Sequence, residues 1–302
     1  MPPLNFVVIT PVRNEEGRIP ATIRAMFSQT LRPAQWIIVD DGSSDRTPRI
    51  IGEAAEKNPW LQLLRRPDRG FRRPGTGVME AFHDGFREIR EARWDYLVKL
   101  DADLSFERDY FEKCFERFQT DPKLGIGGGV VCCEIAGVPV PESRGDPAFH
   151  VRGATKIYRR ACWDAIGGLI KTTGWDTMDE VKANMLGWRT ASFPGLQVVQ
   201  SRKTGGADGI WRNYFKNGRA NYVVGYHPVF MAAKCLKRLG ERPFGLVALA
   251  LACGFVSGYL GRISRPEDRK VIGYLRRQQF LALLGRDCLW KTPRAQPEAQ
   301  AR

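Results

Sequence analysis

Three acidic groups stand beside apolar runs of this chain, and the residue types suit a phosphorylated ligand. The first is "VDDGSSD", where Asp40 and Asp41 close the run from Trp36 to Val39. The second is "YLVKLDADL", with Asp101 and Asp103 one residue apart. The third is "WDTMDEVKANMLGWRT", which carries Asp176, Asp179 and Glu180. In a strand, residues i and i+2 share a face, so Asp101 and Asp103 are expected to converge. Two close carboxylates repel and raise each other's pKa unless a cation lies between them. A hard divalent cation shared with substrate phosphates meets that need. The same residues also read as a polar turn capping a helix at "FERDYFEK", and the spacing alone does not choose. The doubled aspartate after Val39 exceeds what a helix cap requires. A carboxylate there can accept hydrogen bonds from a base or a ribose.

The elements that must position these groups follow from apolar spacing. "LNFVVIT" (4–10) is a short β-branched run ended by Pro11 and reads as a buried strand. Ile19, Ile23, Met26 and Phe27 have helical spacing. Trp36 to Val39 is a second strand, followed by a helix with Ser44 or Asp45 as N-cap. "LQLLRR", "GVMEAFHDGFREI" and "DYLVKL" continue the alternation as strand, helix and strand. This predicts an α/β fold, a mostly parallel Rossmann-like sheet flanked by helices. In such sheets ligands sit beyond the carboxyl ends of the strands, where "TPVRNEE", "DDGSSD" and "DAD" lie. Further on, "GIGGGVVCCEIAG" reads as a strand and "KIYRRACWDAIGGL" as a strand edge with a short helix. "WDTMDEVKANMLGWRT" reads as a helix broken at Gly187.

Several classes are disfavoured. The dinucleotide pattern G-x-G-x-x-G and the P-loop are absent after the first strand, and "PGTGVME" (74–80) lacks the third glycine. The chain has a formal net charge of +14, which suggests a polyanionic partner. Sixteen Lys and Arg against five Asp and Glu fall between Lys216 and Arg302, a net of +11. The excess therefore belongs to the tail. Seven cysteines, an odd number without a C-x-x-C pair, point to free thiols in a reducing compartment. "MPPLNFVVITPVRNEEG" has no basic start and too short an apolar run for a signal peptide. His83, His150 and His227 are scattered and are expected to be structural.

The motifs taken together resemble family-two glycosyltransferases with the type-A nucleotide-sugar-binding fold, over about residues 4–215. The residues that carry the likeness are "FVVITPVRNEEGRIPATIRAMFSQTLRPAQWIIVDDGSSDRT" and "YLVKLDADL". The resemblance implies that Thr10, Pro11, Arg13 and Glu15 line the donor site. It implies that Asp40 bonds the donor's base while Asp41 and Ser43 support the turn. Asp101 would touch ribose or metal, and Asp103 would ligate Mg²⁺ or Mn²⁺ bridging the diphosphate. The family's base usually lies in E-D-x-D/E, about eleven residues before a glycine. That spacing from Gly187 selects Asp176, with Asp179 and Glu180 as alternatives, although Trp175 replaces the usual Glu. The late His ligand of many members is missing from "VVQSRKTGG", which leaves the metal to Asp103 and phosphates. The Q-x-x-R-W signature of polymerising members is missing too, which favours transfer of a single sugar.

The tail holds the uncharged runs 221–233 and 244–260, with basic flanks. A spanning helix needs about 20 apolar residues. The second run is borderline, and basic residues at both ends favour a re-entrant or interface-lying helix. A soluble helical hairpin packed on the main domain is the other reading. The expected organisation is a catalytic domain (1–215), a helical membrane-associating tail (216–290) and a disordered end (291–302). The expected activity is metal-dependent inverting transfer from a nucleotide-sugar donor to a glycan or lipid-linked acceptor. The expected place is the cytoplasmic face of the membrane, without nucleic acid. The rivals are a nucleotidyltransferase and a non-enzymatic binder of anionic surfaces.

Overall fold

The computed structural model describes residues 4–70, 76–142, 146–201 and 209–291. Its first half alternates as expected: β1 (Phe6–Val12), α1 (Ile19–Phe27), β2 (Gln35–Asp40), α2 (Thr47–Glu56), β3 (Leu61–Arg65), α3 (Thr76–Arg87) and β4 (Tyr96–Leu100). Then follow β5 (Leu104–Phe106), α4 (Tyr110–Thr120), β6 (Leu124–Ile135), β7 (Val138–Pro141), β8 (Thr155–Arg159), α5 (Arg160–Ile166), α6 (Trp175–Met185) and β9 (Arg189–Gln200). The tail is helical: α7 (Gly209–Val224), α8 (Pro228–Lys237), α9 (Leu246–Leu260) and α10 (Arg269–Leu283).

One sheet runs in the order β3-β2-β1-β4-β8-β6-β9-β5, with β7 paired to β6. β3, β2, β1 and β4 are parallel neighbours. Beyond β4 the sheet is mixed: β8 is antiparallel to both β4 and β6, while β6 and β9 are parallel. So β8, expected at a sheet edge, lies in the interior. Its residues Thr155, Lys156, Ile157 and Tyr158 are all buried, which an edge strand does not require. The parallel expectation holds where βαβ units supply the crossovers, and it ends where β8 enters from the other direction.

Alternate residues of β1 and β2 feed opposite faces of the sheet. Phe6, Val8, Trp36 and Ile38 pack with Phe111, Phe115 and Phe118. Val7, Ile9, Ile37 and Val39 pack with Met79, Phe82 and Trp163. A third core joins Met178 and Val181 of α6 to Tyr222, Val247, Leu251, Phe255, Val271 and Leu275 of the tail. α6 is thus shared by the sheet and the tail, because Trp175 and Ala183 belong to the second core.

The expected boundary at residue 215 falls inside α7. α7 and α9 touch through backbone. A Cβ at Gly218 would stand 2.1 Å from the Leu251 carbonyl oxygen, and one at Gly254 would stand 2.0 Å from that of Phe215. No larger side chain fits either place without parting the helices. The run 244–260 therefore forms the fifteen-residue α9 packed on α7. Among the described residues, no helix is long and apolar enough to cross a membrane. The end expected to be disordered lies, beyond Lys291, outside the described residues. All seven cysteines are free.

Candidate active site

The loops after β1 and β2 are knitted together by their own polar residues. Asn14, at φ +53, donates its N–H to Ser43 Oγ at 2.9 Å and accepts from Ser44 N at 2.9 Å. Glu15 N donates to Thr47 Oγ1 at 2.8 Å, and Glu16 N donates to Asp45 Oδ2 at 3.2 Å. Asp45 also accepts from Thr47 N at 2.9 Å, but α2 begins at Thr47 with Arg46 as its N-cap, so neither Ser44 nor Asp45 caps it as expected. Ser43 thus holds the turn. The Glu15 carboxylate accepts from Arg18 at 3.0 Å. Thr10 is fully buried and accepts from Trp36 Nε1 at 2.9 Å. That bond keeps the Thr10 hydroxyl inside the core, away from the loops. Pro11, opposite Val39, remains at the strand end.

Asp40 and Asp41 divide the work of their pair. Asp40 is fully buried and accepts from Ser43 N at 3.1 Å. Its second oxygen makes no hydrogen bond among the described residues, and Arg65 Nε is 3.9 Å away. A buried acceptor left without a donor costs about 1–3 kcal/mol, so this oxygen is suited to a ligand N–H. Asp41 is instead committed to Arg66 and Arg69. Arg13 donates to its carbonyl oxygen and pairs with Asp68 at 2.8 Å. Burial pushes the Asp41 carboxyl above its usual range, against the pull of these arginines.

Asp101 and Asp103 do not sit as successive same-face residues of a strand. β4 ends at Leu100 and β5 begins at Leu104, so a turn separates the aspartates. Thr22 of α1 pins that turn: its hydroxyl is 2.8 Å from both the Ala102 and Leu104 carbonyl oxygens. Asp101 pairs with Lys99, whose ammonium also donates to the Gly153 carbonyl. Asp103 is buried beside Gln200, whose Nε2 is 3.2 Å from each carboxylate oxygen. The cation beside Asp101 is therefore a protein ammonium. Among the described residues, no group of three or more His, Cys, Asp and Glu could hold a metal. The oxygen donors at Asp103 still fit a hard cation that takes its other ligands from a diphosphate.

The third group separates most clearly. Lys156 of β8 is fully buried, with Nζ 2.9 Å from Asp179 Oδ2 and 2.7 Å from Glu180 Oε1. Tyr158 donates to Asp179 at 2.6 Å. Glu180 also accepts from Val151 N at 2.7 Å and pairs with His150 at 2.9 Å. Burial pushes Asp179 up to about 6, with Lys156 opposing. Burial works against charge on His150, but Glu180 outweighs it and lifts the imidazole to about 9. Asp176 differs from both. It lies in the first turn of α6, and its carboxylate has no hydrogen bond or ion pair among the described residues. Lys156 donates to its main-chain oxygen, which holds that turn. A Cβ at Gly153 would stand 3.4 Å from Asp176 Oδ2. Lys99, the partner of Asp101, binds the Gly153 carbonyl, so Asp176 and the Lys99–Asp101 pair approach the same residue.

Lys99 and Lys156 were not singled out by motif reading, although a lysine inside an apolar strand is itself a signal. They are direct cross-strand partners, and both ammoniums lie over the Trp175 ring, at 5.4 and 5.5 Å. Trp175, at the place of the usual acid, is the lid on both lysines. Of the histidines, His83 bridges the Met79 and Leu169 carbonyls and His227 caps α8. His150 is structural too, but inside the acid network.

A parallel βαβ half with acidic strand ends defines an α/β protein of the class whose ligands sit beyond the carboxyl ends of its strands. The description "Glycosyl transferase family 2" matches residues 7–173, more than half of the sequence. The chain belongs to that family, which gives the nucleotidyltransferase reading no support. The match stops short of α6, so it does not reach Asp176. The chain is 31% identical over 116 residues to the poly-beta-1,6-N-acetyl-D-glucosamine synthase of Staphylococcus aureus (strain MSSA476), covering 38% of this chain and 26% of that protein. It is 25% identical over 210 residues to glycosyltransferase AglD of Haloferax volcanii, covering 62% of this chain and 32% of that protein. It thus spans about a third or less of these curated relatives.

Solved structures share the fold. The mannosyltransferase PcManGT from Pyrobaculum calidifontis, in complex with GDP-Man and Mn²⁺, superposes with a TM-score of 0.53 at 20% identity, over 92% of this chain and 80% of that one. S. aureus TarS 1–349 in complex with UDP gives 0.52 at 14% identity, over 85% and 72%.

Proposed function

We propose that this chain is an inverting glycosyltransferase that moves one sugar from a nucleoside-diphosphate donor to a hydroxyl of a membrane-associated glycan or lipid-linked acceptor. Asp176 is the general base. The observation that carries this reading is the division within α6: Asp179 and Glu180 are saturated by Lys156, Tyr158 and His150, while Asp176 is unpaired among the described residues. The Asp176 carboxylate takes the acceptor O–H proton as that oxygen bonds to the anomeric carbon. The bond from carbon to the diphosphate oxygen breaks, and its electron pair leaves with the nucleotide. Asp40 accepts a base N–H, and the turn held by Asn14, Glu15 and Ser43 orients the donor beside Arg13 and Pro11. Asp101, neutralised by Lys99, faces the ribose. Mg²⁺ or Mn²⁺ at Asp103 would neutralise charge on the departing diphosphate. A nucleotide sugar seen with one structural neighbour and UDP with another support the donor class. The relative that makes a polysaccharide supports a glycan acceptor.

The tail supports a membrane-surface setting. Leu236, Phe244, Leu260 and Leu284 are more than 60% exposed, close in sequence to Lys237, Arg238, Arg242 and Arg262. Each basic residue near an anionic leaflet contributes on the order of 1 kcal/mol. The full chain is expected to sediment with anionic vesicles and to stay behind with neutral ones.

The direct test of function is a thermal-shift screen of nucleotide sugars with and without Mn²⁺, followed by transfer assays on Asp176→Asn. The variant should keep donor binding and melting temperature, and lose about 10²- to 10⁴-fold in rate. Near-normal transfer by this variant would exclude Asp176 as the base.

A further inference from the structure

The two strands that carry Asp103 and Gln200 are locked in register. β5 and β9 pair antiparallel with Leu104 opposite Gln200, and Ser201 N donates to the Asp103 carbonyl oxygen at 2.9 Å. Both side chains are buried, with Gln200 9% and Asp103 4% exposed. This is a rigid pair, since a slip of one residue would turn Gln200 to the other face. The amide nitrogen lies 3.2 Å from each Asp103 oxygen, at the long end of the hydrogen-bond range.

A carboxamide has a donor end and an acceptor end of nearly equal size. With no cation present, its NH₂ must face a carboxylate, because two oxygens would repel. Half a turn of the amide puts Oε1 where Nε2 stands, 3.2 Å from the Asp103 oxygens. Two neighbouring ligand oxygens on an octahedral cation, each bonded at 2.0–2.1 Å, lie about 2.9–3.0 Å apart. The observed spacing is thus within a few tenths of an ångström of that of adjacent ligands on one cation. The pair needs a side-chain rotation and no movement of the strands.

We propose that Gln200 is a protein ligand of the divalent cation, presenting Oε1 beside Asp103, and that its amide turns over when the cation binds. The proposal rests on the metal-assisted reading given above, and it replaces the expectation that Asp103 and phosphates hold the cation alone. It also sets a preference: an all-oxygen protein set favours Mg²⁺ and Mn²⁺ over softer ions that imidazole ligands retain well.

Mn²⁺ is titrated into the full chain in the presence of UDP and, separately, GDP, with free Mn²⁺ read by electron paramagnetic resonance. Gln200→Leu should weaken Mn²⁺ binding about tenfold or more. Gln200→His supplies a nitrogen ligand and should restore binding while raising the Co²⁺-to-Mg²⁺ affinity ratio several-fold. Both variants are first checked for an unchanged circular-dichroism spectrum; if Gln200→Leu does not fold, the ion ratio of Gln200→His decides. Unaltered Mn²⁺ affinity in Gln200→Leu, or an unaltered ion ratio in Gln200→His, would overturn the assignment. If neither nucleotide recruits Mn²⁺ to the wild type, the assignment also falls. The glycosyltransferase reading survives that result when a nucleotide sugar still raises the melting temperature without metal.

Discussion

The acids after β4 and the acids of α6 are built on the same device and differ in depth. In each, a lysine from the middle of a strand pairs with an acid, and the two lysines face each other across β4 and β8 under Trp175. Lys99 meets Asp101, whose side chain is 30% exposed. Lys156 meets Asp179 and Glu180, both essentially closed to solvent. Depth decides what the pairs are for. A sealed ammonium with two sealed carboxylates is a structural brace, because breaking such a set strands a charge in low dielectric. A half-open pair keeps its carboxylate within reach of a ligand. Asp176, on the outer turn of the same helix, owes its freedom to neighbours that absorb the buried charge.

Lys156→Met attacks the brace and should have the largest effect on stability. It leaves Asp179 without its cation and Glu180 with His150 alone, a loss of about 3–5 kcal/mol and about 10 °C or more in melting temperature. Lys99→Met should cost clearly less, since water reaches Asp101. Equal losses in the two variants, measured by thermal unfolding, would erase the distinction.

Raising the pH tests the rim of the brace. Burial works against charge on His150, but Glu180 lifts it from an ordinary value near 6.5 to about 9, with Asp176 adding and Lys156 opposing. A raised pKa means that the folded state holds the proton more tightly. The stabilisation is complete below about pH 6.5 and is lost as pH climbs through 9, a fall on the order of 1–3 kcal/mol. Glu180→Gln should remove that alkaline slope. A melting temperature flat from pH 7 to pH 10 in the wild type would show that the His150–Glu180 pair carries no linkage.

Tyr158→Phe should also cost less than Lys156→Met. It deletes one hydrogen bond to a charged acceptor and leaves Lys156 in place, for a cost of about 1.5–3 kcal/mol. A loss as large as that of Lys156→Met would mean that the hydroxyl, not the ammonium, holds Asp179.

Much of the parallel half was legible because its information is local. The strand β1 from Phe6, the helix from Ile19 and the acids after Val39 follow from spacing within a few residues. Thr10 misled for a related reason: it stands in a motif, but the partner that draws its hydroxyl into the core, Trp36, is on another strand. The inner place of β8 was illegible because pairing order in a mixed sheet depends on segments far apart in the chain. Gln200 was noticed only as the absence of a histidine, since its contact spans 97 residues.

Taken alone, the amino-acid order determined that acids would gather at the ends of apolar strands, that α6 would carry three of them before Gly187, and that the positive excess would lie in the tail. Only the tertiary structure decided which acids are free. That decision was made by Lys99, two residues before Asp101, and by Lys156, Tyr158 and Gln200, which reach their acids from strands distant in sequence. Burial sets the energy of those contacts, and burial belongs to the assembled sheet, not to any one stretch of the chain.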